Sequence, residues 1–189
     1  MKLKNKLVII RGGGDLASGI AVRLFRAGFN IIILETLHPL AIRLPVSFAS
    51  AVFEGSCQIE NIKGILAETY DEADQIVNDN KVAILIDPLG RSFEYYKQFI
   101  LIDAIMAKRN LGTSKEQAPL VIGVGPGFQA GNDVHAVIET KRGHYLGRVI
   151  YEGSALPDTG IPGEIAGESD KRLLRAPAEG LITPEHQIG

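Results

Sequence analysis

Residues 12 to 17 read Gly-Gly-Gly-Asp-Leu-Ala and follow the apolar run Leu7-Val8-Ile9-Ile10. They fit the pattern G-x-G-x-x-A between a strand and a helix. In such a turn Gly12 would make the sharp bend, and Gly14, lacking Cβ, would let the backbone approach a pyrophosphate. Ala17 would keep helix and strand close, and the helix N-terminus would offer N–H groups and partial positive charge. An acid stands where a ribose-binding acid belongs, as Glu35, 21 positions after Gly14. It could accept from ribose hydroxyls and would disfavour a 2′-phosphate. Gly12, Gly13, Gly14, Asp15 and Glu35 are therefore candidate cofactor-binding residues. Asp15 argues the other way, because a carboxylate at the helix start repels phosphate. It is equally a good N-cap, and a turn that is merely glycine-rich accounts for the same residues.

A second constellation, Gly125-Pro126-Gly127-Phe128, ends the apolar run Leu120 to Val124. Ligands of open α/β sheets bind at that end of the strands. Phe128 could stack on a ligand ring, or the segment could be a structural turn. Asp103 and Lys108-Arg109-Asn110 read as the cap and the basic last turn of a helix over 104 to 109, or as anion contacts. His135 and Glu139 fall on one strand face about 13 Å apart, too far to share one ion, so no metal site is expected. Cys57 lies between Glu54 and Glu60, which would not activate a thiol. No Ser/His/Asp or Cys/His set is legible, and no catalytic residue is assigned.

The elements that would position these residues follow from apolar periodicity. Buried strands are expected at 7–10, 31–34, 62–66, 82–86, 100–102 and 120–124. Helices are expected at 15–27, 71–77 and 104–109, with 47–53 leaning helical. Strand, helix and strand within the first 34 residues make a βαβ unit, hence parallel strands. Runs 134–140 and 146–151 around Arg142-Gly143-His144 predict a hairpin with a loop of three to five residues. The expected fold is α/β: a Rossmann-like, doubly wound, mostly parallel sheet with a C-terminal β-hairpin and an irregular or β tail. Residues 1–152 are expected to form the ligand-binding domain, and 153–189 a Gly/Pro-rich tail.

The bulk composition narrows the function classes. A 189-residue chain with 46% hydrophobic and 22% charged residues suits a globular protein with a real core. A formal charge of -2 gives no electrostatic case for nucleic acid or an anionic membrane. No apolar run approaches the roughly 20 residues that span a bilayer. One cysteine excludes an intrachain disulfide framework, and the basic N-terminus has too short an apolar run for a signal peptide. A cytoplasmic protein is expected.

Four stretches carry a family resemblance: VIIRGGGDLASGIA at 8–21, DAIMAKRN at 103–110, VIGVGPGF at 121–128 and VHAVIETKRGHYLGRVI at 134–150. Together they resemble the YqeB-like accessory proteins associated with selenium-dependent molybdenum hydroxylases. That family is distantly similar to the Rossmann half of XdhC-type maturation factors. The resemblance implies a role in maturing a molybdenum hydroxylase as partner, with a nucleotide or molybdopterin-type ligand. It favours Gly12 to Asp15 and Gly125 to Phe128 as ligand positions and supplies no catalytic residue. Alternatives are an NAD-dependent oxidoreductase, for which Glu35 is the best argument, and a non-catalytic nucleotide-binding sensor. Against the first, no Tyr-x-x-x-Lys pair is present. Arg175-Ala176-Pro177-Ala178-Glu179-Gly180 resembles the opening of a biotinyl/lipoyl-type β-domain, without a lysine in an attachment turn. The tail is expected to be the start of a truncated domain of that kind or an added β element.

Overall fold

A computed structural model describes residues 6–161, 163–169, 171, 177, 178 and 180. The chain divides into a unit of Met1–Pro157 and a second of Asp158–Gly189. Of the expected biotinyl/lipoyl-type opening at 175–180, Arg175, Ala176 and Glu179 lie outside the described residues. No helix among the described residues is long and apolar enough to cross a membrane.

The first unit is built on nine strands: β1 (Leu7–Arg11), β2 (Asn30–Glu35), β3 (Ser56–Ile59), β4 (Ile62–Ala67), β5 (Val82–Ile86), β6 (Ile100–Asp103), β7 (Leu120–Val124), β8 (Ala136–Ile138) and β9 (Val149–Ile150). Their order in the sheet is β3-β4-β5-β2-β1-β6-β7-β8-β9. From β4 to β8 every pairing is parallel, and only the flanking β3 and β9 run antiparallel. The α/β, mostly parallel, Rossmann-like sheet expected from the sequence is the fold of this unit.

Alternation along the strands sorts the core into two faces. Val8, Ile10, Ile31 and Ile33 face α1 (Asp15–Arg26), which presents Ala17, Ala21 and Val22. Ile9, Ile32, Ala83 and Leu101 face the other way, onto Ala73, Ile76 and Val77 of α3 (Tyr70–Asn78). Small residues on α1 let the helix sit close to the sheet. At its start α3 is capped by Thr69, whose hydroxyl accepts from the Glu72 N–H at 3.1 Å. Residues 48–54 are helical as expected: a 3-10 turn at Phe48–Ser50 runs into α2 (Ala51–Glu54).

The structure departs from the sequence reading in several places. β3 was not expected, because four residues containing Ser56 and Gln58 carry no apolar run. Residues 104–109 are not a helix: the chain is irregular there, with Met106 and Lys108 at φ +62°. Asp103 is not a helix cap, because no helix follows: one carboxylate oxygen accepts from the Ile105 N–H at 3.2 Å and the other turns inward to Arg11. Asn110 then closes a tight turn, accepting from the Thr113 N–H and donating to the Thr113 carbonyl, both at 2.7 Å.

The β8–β9 loop is also longer than three to five residues, running from 139 to 148. Glu139 explains the early end of β8. Its buried carboxylate accepts from the N–H groups of Lys141 (2.8 Å) and Leu156 (2.9 Å), so the chain is anchored before it can turn back. Burial pushes the Glu139 carboxyl up, but the N–H groups of Leu156, Lys141 and Thr140 outweigh it and hold it below the usual carboxylate range. His135 is committed separately, its Nδ1 accepting from the Val121 N–H at 3.0 Å.

Candidate functional site

Chain order reverses at β1: β2 and β5 lie to one side, β6 and β7 to the other. In such sheets the crevice opens beyond the strand C-termini at this point. A cleft of about 1130 Å³ lies there, with Arg11 from β1, Leu34 and Glu35 from β2, and Ala104 just past β6 in its wall.

Its floor is a buried polar cluster. The Arg11 guanidinium pairs with Asp103 at 3.3 Å, donates to the Thr113 hydroxyl and reaches the Pro88 carbonyl at 3.3 Å. Thr113 in turn donates to Asp103. Only 6% of Arg11 and 2% of Asp103 is exposed, so the cation is matched by its acid and not available to a ligand.

The glycines of the first turn have three different tasks. Gly12 has φ +89°, and a Cβ there would lie 3.0 Å from the Ala104 oxygen and from Ile105 Cα. Only glycine lets β1 exit against the chain leaving β6. Gly13 is packed beneath the loop, where a Cβ would lie 3.0 Å from the Ala49 nitrogen. Its N–H donates to Glu35 Oε1 at 2.7 Å, so it is engaged with protein. Gly14 is the N-cap of α1, with φ -64° and nothing within 4 Å of a Cβ. Its backbone borders open cleft.

Two sequence expectations change here. Asp15 is not the N-cap: Gly14 holds that position without a side-chain cap bond, and Asp15 is the first helical residue, ion-paired with Arg43. Phe128 does not offer its ring to a ligand. It is 5% exposed and packs on β7, where a Cβ on Gly123 would lie 2.5 Å from its ring.

Gly12 to Gly14 and Gly125 to Gly127 do open on one edge of the sheet, since β1, β6 and β7 are parallel. The segment after β6 crosses between them. A Cβ on Gly127 would lie 2.6 Å from the Arg109 nitrogen, and one on Gly125 3.1 Å from Met106 Cε. Met106 lines the cleft, so Gly125 backs its wall from outside. Gly12, Gly14, Asp15 and Glu35 line the cleft; Gly125, Pro126, Gly127 and Phe128 do not.

Glu35 is half-buried, with Oε1 on the Gly13 N–H and Oε2 on the Thr36 N–H at 2.8 Å. Each oxygen keeps further acceptor capacity, and the pinned carboxylate stays at the cleft wall. Should a dinucleotide bind with its ribose here, NAD will bind more tightly than NADP, because a 2′-phosphate would meet this carboxylate. Parallel titrations check this, and superimposable curves would remove Glu35 from the ribose site.

Sequence reasoning missed the outer wall. The segment leaving β2 places His38, Leu40, Ile42 and Arg43 along the cleft, and Asp87 enters from the end of β5. Leu40 and Ile42 are 96% and 97% exposed. The signal was TLHPLAIR at 36–43, apolar residues without strand or helix spacing directly after Glu35. Asp87 has a structural task, accepting from the N–H groups of Arg91 (2.9 Å) and Ser92 (2.8 Å). Cys57 lies apart, with burial as the main cause pushing its thiol up.

The chain is 46% identical to the uncharacterized protein YqeB of Escherichia coli (strain K12) over 185 residues. It is YqeB-like. The likeness covers 98% of this chain and 34% of that protein, so the chain spans about a third of the length of the relative it matches. No family model and no solved structure matches the chain.

Proposed function

We propose that this YqeB-like chain binds a nucleotide- or pterin-type ligand in the switch-point cleft and acts as an accessory protein in maturing a molybdenum hydroxylase. The observation that carries the binding half is Gly14. It is a side-chain-free helix start bordering open cleft, beside N–H groups of the first turn of α1 that lack intrahelical acceptors. The cleft is apolar along Leu34, Ile105 and Met106 and polar at Glu35, which suits a flat heterocycle joined to a hydroxyl-bearing sugar or side arm. The maturation half rests on the family resemblance of the four quoted stretches.

Native mass spectrometry of gently purified protein tests the binding half, with a nucleotide or pterin mass expected to travel with the chain. Gly14→Val supplies the control. Its φ is ordinary and its Cβ meets no protein atom, so the variant should melt near wild type while the ligand mass disappears. A variant that kept the ligand would make the loop structural only. Co-purification with a molybdenum hydroxylase tests the other half.

A second reading, an NAD-dependent oxidoreductase, is favoured by Glu35 alone. A change in reduced-cofactor absorbance with a small substrate would select it.

A further inference from the structure

The acid at the start of α1 is the feature that fits a phosphate site least. Asp15 sits at the helix end where an anionic ligand would gain most, and it faces the same cleft. Its charge does not stand alone, because Arg43 Nη1 is paired with Asp15 Oδ2. Arg11 and Arg43 are the lysine or arginine side chains among the described residues lining the cleft. Arg11 is buried and held by Asp103, Thr113 and Pro88. Arg43 has a side chain 69% exposed and, among the described residues, Asp15 as its carboxylate partner.

We infer that Arg43 is the cation that reads a diphosphate on the ligand, and that Asp15 is its resting partner, given up when a nucleoside diphosphate moiety arrives. The inference rests on the ligand-binding reading above and names the ligand's class. An exposed ion pair contributes little to stability, so exchanging one anion for another costs little. A diphosphate offers more charge and a bidentate match to the guanidinium fork. The segment carrying Arg43 can follow the exchange. Among the described residues, 37–42 make no backbone–backbone hydrogen bond, and the chain is next tied at Arg43, whose carbonyl accepts from the Val46 N–H. Asp15 thus keeps Arg43 beside the helix start until a diphosphate arrives and lowers affinity for free phosphates.

Calorimetric titration with adenosine and with ADP tests this on wild type, Arg43→Ala, Arg43→Lys and Asp15→Asn. Arg43→Ala should weaken ADP by roughly 10- to 100-fold and leave adenosine unchanged. Arg43→Lys should recover part of the loss. Asp15→Asn should tighten ADP and not adenosine. Melting midpoints of all three variants should stay close to wild type, which separates a ligand contact from a structural one. An Arg43→Ala variant with the wild-type ratio of ADP to adenosine affinity overturns the inference. So does a wild-type protein that binds neither, and the broader reading then stands or falls on the native mass.

Discussion

Asp103→Ala should destabilise the protein by about 3–5 kcal/mol, because it leaves the Arg11 guanidinium buried without its acid. Thr113 and the Pro88 carbonyl would remain on Arg11 but carry no formal charge. The pair joins the C-terminal ends of β1 and β6, the two strands that frame the cleft. Urea unfolding should therefore show a lower midpoint with an unchanged slope. Replacing both partners by apolar residues, as in Arg11→Met with Asp103→Leu, should cost less than the single change. If Asp103→Ala unfolded at the wild-type urea concentration, the pair would not hold the two strands together.

Phe128→Ala should be comparably severe, for a different reason. The ring belongs to the core on the α3 side of the sheet, with Val121, Ala130, Val134 and Val137. Its removal leaves a ring-sized void over Gly123, which has no side chain to fill it. Phe→Ala changes at such sites cost about 3–5 kcal/mol. For a unit of this size that lowers the melting midpoint on the order of 10 °C. The sequence reading gave Phe128 a stacking contact with ligand, which would have produced lost affinity at unchanged stability. Calorimetric melting together with ligand titration separates the two. Intact stability with weakened binding would return the ring to the site.

Much of the architecture was legible because a doubly wound sheet writes its strands as short apolar runs. Val8 to Ile10, Ile31 to Leu34 and Val82 to Leu85 are buried on both faces and need no polar alternation. Glu35 and the glycine turn were legible because a strand, a helix and a second strand fix their spacing. What stayed hidden depends on partners distant in sequence. Asp103 has the look of a helix cap until Arg11, 92 positions away, draws it inward. Phe128 has the look of a free aromatic after a turn until Gly123 gives it a seat. Arg43 lies in a stretch without periodicity, and only the folded chain brings it to Asp15.

The antiparallel strands at the two ends of the sheet bear on edge-to-edge pairing between molecules. Parallel strands as apolar as β4 to β8 would template cross-β growth if their outer ladders were bare. β3 caps one end through Ser56 to Ile59, with Gln58 opposite Lys63. β9 caps the other with Val149 and Ile150 alone. Each terminal strand is too short to be a good template, and the polar pair on β3 and β4 discourages a dry zipper. Protection against aggregation is thus placed at the ends of the sheet, leaving the cleft edge free of that duty.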